Sequence, residues 1–241
     1  MKIVASIFLA LLSFCVNAQD MQKYLNDTRD LVKQGNFKEA LKRDIWFHDH
    51  ALQYSRAMSG VRLSFALGDW KTLGDKYPPA LAALIKVRDD KTKLVEANGG
   101  PSNLFQDVAA INRTLKEDAK TIALFKGVIK AHPDSAQHNW HYVKRLLFDA
   151  KEYTLIHKYI RTPFYEFTIL RESYNSSVSY YPKMGIGQPS VKRITEENFI
   201  KGVTQLIQYS RAVNDTRSAK DIQQQADLII NDGRIETALK G

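Results

Sequence analysis

The stretch Gly35-Asn36-Phe37-Lys38-Glu39-Ala40-Leu41 constrains this chain more than any other, because its grammar returns. A glycine ends one run of apolar residues spaced by threes and fours, and a second such run begins two positions later. Gly68-Asp69-Trp70 repeats the opening, Lys151-Glu152-Tyr153 repeats it without the glycine, and Gly233 to Leu239 repeats all of it. The first two glycines stand 33 residues apart (68 − 35). Steps of three and four place side chains on one helix face, and a break recurring every few tens of residues marks an array of like units. No segment keeps the strict alternation of a strand. The expectation is an all-α chain of helical hairpins.

Taken in order, Tyr24, Leu25, Thr28, Leu31 and Val32 form one apolar face, and Phe37, Ala40, Leu41 and Ile45 form the next. A second pair is expected at about 54–67 and 69–76, divided at Gly68. Pro78-Pro79 then starts a longer helix to about Ala97, since proline disfavours helix at the preceding residue but suits the first helical position. Asn98-Gly99-Gly100-Pro101-Ser102 reads as a connection inside a continuous array, with a domain boundary as the alternative. Further helices are expected around Leu104–Ile111, Ile122–Ile129, Trp140–Leu147 and Tyr153–Ile160, with Asp134 and Gln137 suited to a capping box. Residues 172–194 lose helical periodicity and predict a long irregular loop, whose Tyr174, Tyr180, Tyr181 and Met184 serve as a lid or as packing. Helical pattern resumes at 195–213 and about 218–230.

The first residues carry an address. Lys2, an apolar run from Ile3 to Val16 and the small-residue site ending at Ala18 predict a secretory signal over residues 1–18, with residues 19–241 as one mature domain. The run is shorter than the ~20 residues that span a bilayer, so no transmembrane segment is expected. Export to a bacterial periplasm follows, with extracellular release or lipid anchoring through Cys15 as alternatives. Cys15 is the only cysteine, so the mature chain holds no disulfide, thiolate ligand or cysteine nucleophile. The whole sequence carries 35 basic and 26 acidic residues; without Lys2 the balance is +8 (34 − 26). That favours anionic partners, with solubility as the plain alternative; no run of Lys/Arg interleaves with aromatics, so nucleic acid is not expected.

Gly35-x-Phe37-x-x-Ala40-Leu41, Phe125 with Pro133, and Trp140 with Val143, Leu147 and Tyr153 resemble tetratricopeptide motifs. Trp46-Phe47-His48-Asp49-His50-Ala51-Leu52, Gly60 to Trp70 and Lys76-Tyr77-Pro78-Pro79-Ala80 are also similar to a poorly characterised group of exported bacterial repeat-like proteins. The resemblance implies a right-handed α-solenoid whose first helices line an inner groove, and assigns no chemistry. Large residues such as Phe47, Lys144 and Ile156 stand where that family has small ones, so the superhelix is expected to be irregular.

Six residues before the turn marks stand Arg29, Arg62 and Arg145, with Arg113 one helical step nearer its own turn; the exception is Asp227, which holds the same frame in the last unit. Under the resemblance these four form a basic stripe along the groove. Guanidinium groups suit carboxylates and phosphates, and Asn112, His138 and His141 would add polar contacts. The plain alternative is arginine on a solvated helix face. Trp46, His48 and His50 are secondary candidates. His48-Asp49-His50 suggests acid–base or metal chemistry, yet zinc needs three or four converging ligands, and residues two apart diverge on a helix. No catalytic or nucleotide motif is present, and no cofactor or metal is expected. The leading expectation is a non-catalytic binding or scaffold protein that takes a protein segment or another anionic envelope ligand. Its alternatives are a hydrolase around His48, Asp49 and His50, and a structural assembly partner.

Overall fold

The computed structural model describes residues 18–183 and 189–240. The expected signal segment and Cys15 lie outside these residues, apart from Ala18, and so does Met184. The described chain is all-α, with no strand, and none of its helices is long and apolar enough to cross a membrane. Contacts divide it into two compact units, residues 18–135 and 136–240.

The first unit holds α1 (Ala18–Lys33), α2 (Phe37–Tyr54), a 3₁₀ turn (Arg56–Met58), α3 (Ser59–Arg62), α4 (Phe65–Lys76), α5 (Pro78–Asn98), α6 (Ser102–Leu115) and α7 (Asp118–Ala131). Helix α8 (Pro133–Asp149) begins at its end and runs into the second unit. There follow α9 (Tyr153–Tyr159), α10 (Pro163–Lys183), α11 (Pro189–Ala212), α12 (Thr216–Asp227) and α13 (Gly233–Lys240). The Asn98–Ser102 break joins α5 to α6 inside the first unit.

Four connections share one geometry. After α1, α6, α8 and α11 a single residue turns left-handed: Gly35 (φ 77°), Lys116 (61°), Lys151 (54°) and Asn214 (61°). The next residue's N–H reaches back five positions each time, from Asn36 to Leu31, Glu117 to Asn112, Glu152 to Leu147 and Asp215 to Ser210, at 2.9, 2.7, 2.9 and 2.8 Å. The left-handed residue's own N–H bonds the carbonyl three positions back. This Schellman ending satisfies two carbonyls that a helix end leaves open. Five residues past each left-handed position the chain is wholly buried, at Ala40, Thr121, Ile156 and Ala219.

The turn marks expected at Gly68 and Gly233 are corrected by this pattern. Gly68 lies in the first turn of α4, its N–H donating to Ser64 O at 2.9 Å, and Gly233 is the first residue of α13. Leu63-Ser64 ends α3 and starts α4 before Gly68 is reached, so the glycine has no turn left to make.

In the first unit, Trp70, Leu73 and Leu84 pack with Ala40, Leu67 and Ile111, and the Trp70 indole donates to Ala80 O at 2.9 Å, tying α4 to α5. A second cluster gathers Met21, Leu25, Phe47, Ala51 and Met58. Each fully buried large side chain contributes about 1.5–3 kcal/mol. In the second unit, α10 lies against α11. Tyr174 and Phe167 bring their rings 4.7 and 6.4 Å from Phe199, and Gly202 admits Leu170 so closely that an added Cβ would meet Leu170 Cδ2 at 2.7 Å.

Residues 172–183, expected to be irregular, continue α10 as helix. Phe167, Leu170 and Tyr174 follow steps of three and four, which fixes the face that meets α11. Ser177 Oγ donates to Ser173 O at 2.9 Å, so this hydroxyl bonds within the helix instead of ending it.

Candidate anion-binding site

Counting six residues before the four left-handed turns selects Arg29, Ala110, Arg145 and Gln208. Arg62 therefore falls outside the register that suggested a stripe, whereas Arg113, three residues before Lys116, keeps its place one helical step nearer its turn. Arg29 donates through Nε to Asp69 Oδ2 and through Nη1 to Asn26 Oδ1, both at 2.8 Å. Arg113 donates to Leu63 O at 3.1 Å. Asn112 is buried, accepting from Arg88 at 2.9 Å and donating to Thr121 at 3.0 Å.

Arg62 is 6 % exposed and serves the interior of the first unit. Its guanidinium grips Asp107 with both terminal nitrogens, Nη1 to Oδ2 at 3.1 Å and Nη2 to Oδ1, and Nη1 also donates to His48 O at 3.2 Å. Lys91 brings a second cation to Asp107 Oδ2 at 2.6 Å. Burial alone would raise the Asp107 carboxyl, but the bonds from Arg62 and Lys91 outweigh it and hold the group below the usual carboxylate range. A buried charge is tolerable only when paired in this way.

His48 stands beside that network, its Nε2 3.4 Å from Arg62 Nη1 and 3.7 Å from Asp107 Oδ2. Burial, then the charge of Arg62, lower it to about 4 despite the opposing pull of Asp107; Lys91 adds a smaller push. One helical turn earlier on α2, Asp44 is 5 % exposed and its Oδ2 finds no hydrogen-bond partner among the described residues. Burial and the nearby Asp69 raise it to about 7, with Arg43 offsetting part of the shift. The short spacing of Asp44 and His48 was visible in the sequence; Lys91, Arg88 and Asp107 gave no such signal, because their partners are distant in sequence.

The His48-Asp49-His50 triplet does not converge. His48 is buried toward Arg62 and Asp49 is exposed. His50 lies stacked on Trp46, with ring centroids 5.2 Å apart and Nδ1 2.9 Å from the Trp46 carbonyl. Trp46 also meets Tyr24 and Tyr54 at 4.9 and 5.3 Å. No group of three or more His, Cys, Asp or Glu side chains among the described residues is placed to hold a metal. His138 and His141 are both exposed on α8, and the His141 ring lies against Tyr142 at 3.7 Å.

Arg145 is the exception among the four arginines. It is exposed, and among the described residues it has no hydrogen-bond or ion-pair partner. It lines an open cleft of about 480 Å³ between α8, α10 and α11, with Lys144, Phe148, Leu170, Lys201 and Gln205 around it. Lys144 pairs with Glu166 at 2.6 Å, and Lys201 with Asp149 at 2.6 Å. Gln205 donates to the same Asp149 oxygen at 2.7 Å. With those two lysines matched, the charge left over in the cleft is that of Arg145. Compared with protein-family models, curated proteins and solved structures, the chain matches none.

Proposed function

We propose that this chain is an exported, non-catalytic, tetratricopeptide-like binding module of the bacterial envelope that captures an anionic group of its partner at Arg145. The observation that carries the reading is the unmatched guanidinium of Arg145 in an open cleft whose other cations already hold carboxylates. Lys144 and Lys201 already hold the neighbouring carboxylates of Glu166 and Asp149, which leaves the planar fork of Arg145 for a carboxylate, sulfate or phosphate from outside. The apolar Phe148 and Leu206 nearby exclude water from one side of such a contact, which strengthens it. Arg29, Arg62 and Arg113 take internal acceptors and so support the scaffold instead of the ligand.

The test is affinity capture from an envelope extract by the mature chain at low and high salt, beside an Arg145→Ala variant and an Arg29→Ala control. A partner recovered at low salt, released at high salt, lost with Arg145→Ala and kept with Arg29→Ala is expected. Equal capture by the Arg145→Ala chain would overturn the reading.

A further inference from the structure

The Arg145 cleft does not end at its own rim. Leu170 and Asn198 line both it and a second open cleft of about 420 Å³, which runs between α10 and α11. The second cleft is floored by Phe199, Tyr174, Val191 and Ile194. From Glu166 in the first cleft to Ser177 in the second, α10 advances eleven residues, or about 16 Å of helix axis. The two clefts therefore adjoin across Leu170 and Asn198, a cation lining the first and, beside Ser173, Ser177 and Thr195, apolar side chains lining the second. Resting on the reading of Arg145 as the anion anchor, we infer that the two act as one trough and that the ligand is a single-chain amphiphilic anion, its head on Arg145 and its hydrocarbon tail along α10 and α11.

Three observations favour a tail over a peptide. Ser177 and Thr195 in the second cleft donate their hydroxyl protons to their own helices, to Ser173 O and Val191 O at 2.9 Å each, so neither has a proton left for a peptide carbonyl. Ile194 is 57 % exposed on this wall, an apolar surface that a tail would cover. The lining is mainly apolar with one unmatched charge, the composition of small-ligand sites. An extended chain advances about 1.25 Å per bond, from the geometry that separates successive Cα atoms by 3.8 Å, so about twelve carbons fill the trough.

The experiment titrates the mature chain with acetate, hexanoate, octanoate and dodecanoate below their micellar concentrations, with dodecyl phosphate and uncharged dodecyl maltoside in parallel. Affinity is expected to rise about two- to fourfold per methylene up to twelve carbons, the upper value being full burial of each group. Arg145→Ala and Ile194→Asp, both at exposed positions, should each weaken dodecanoate at least tenfold while leaving the circular dichroism unchanged. Tighter binding of either dodecanoate or dodecyl phosphate supports the inference and names the head group. Affinity independent of chain length, or dodecyl maltoside binding as tightly as dodecanoate, would overturn it. An acidic peptide that binds through Arg145 while no amphiphile binds would also overturn it, yet would leave Arg145 as the anchor. Loss of Arg145 dependence for every probe would remove both.

Discussion

Asp44 and His48 occupy successive turns of α2, both buried, and their protonation is displaced in opposite directions. Asp44 titrates near 7 in the fold against an ordinary 3.8, and His48 near 4 against 6.5. Between about pH 4 and 6.5 the folded chain therefore holds one proton on Asp44 and none on His48. The unfolded chain holds one on His48 and none on Asp44. The proton numbers are equal, so in this window the pair adds no slope to stability against pH. Each member alone would add one. Asp44, raised on folding, stabilises the fold at low pH and loses that contribution as pH rises toward 7. His48, depressed on folding, stabilises it above 6.5 and loses that contribution as pH falls toward 4. The slope in each case is about 1.4 kcal/mol per pH unit.

Asp44→Asn should then make the chain more stable relative to wild type as pH rises, and His48→Gln less stable. From about pH 4.5 to 6 the two differences should move by about 2 kcal/mol each, with opposite signs. Urea unfolding at several pH values measures this, with Trp70 fluorescence as a local reporter because its ring lies 6.1 Å from that of His48. Subtracting the wild-type curve removes the common contribution of all other groups, including Asp69, Arg43, Arg62, Lys91 and Asp107, which face the pair. Variant curves that run parallel to wild type would refute the displaced protonation.

Arg62→Ala should lower the stability of the first unit by about 3–5 kcal/mol in urea unfolding, because it leaves the buried Asp107 charge short of its main partner. Lys116→Gly and Lys151→Gly should each stabilise the chain by about 1 kcal/mol, whereas Gly35→Ala should destabilise it by a similar amount, since all three positions are left-handed. Thermal melts of the three variants check this. Gly202→Ala should cost about 1–3 kcal/mol by forcing Leu170 away from α11, visible in the same melts.

The helices were legible because their apolar steps of three and four are local. The hairpin at Gly35 was legible because glycine marks it. The other three Schellman turns were not, since lysine and asparagine accept the same left-handed backbone at a cost of only about 1–2 kcal/mol when the surrounding packing holds them. Gly68 has the look of a turn glycine but lies inside α4, so Arg62, six residues before it, precedes no left-handed turn at that spacing. The helix over 172–183 is hidden by its Ser, Asn and Tyr content, and what secures part of it is contact of Tyr174 with Phe199 on the next helix, α11. For the candidate site, Arg145 was legible by position. That it is unmatched was not, because its neighbours' partners, Glu166 and Asp149, come from separate helices.

Asp107 on α6 gathers Arg62 from α3 and Lys91 from α5, with His48 of α2 alongside. Lifting α3, α5 or α6 would strand charge in a place without water to receive it, and lifting α2 would take from Arg62 the carbonyl of His48. The first unit thus has no inexpensive partial opening along these four elements: α2, α3, α5 and α6 should exchange their most protected amides at one common rate, as a single foldon. Its interior pins helices together by a shared acceptor, where apolar packing alone would have let them fray one at a time.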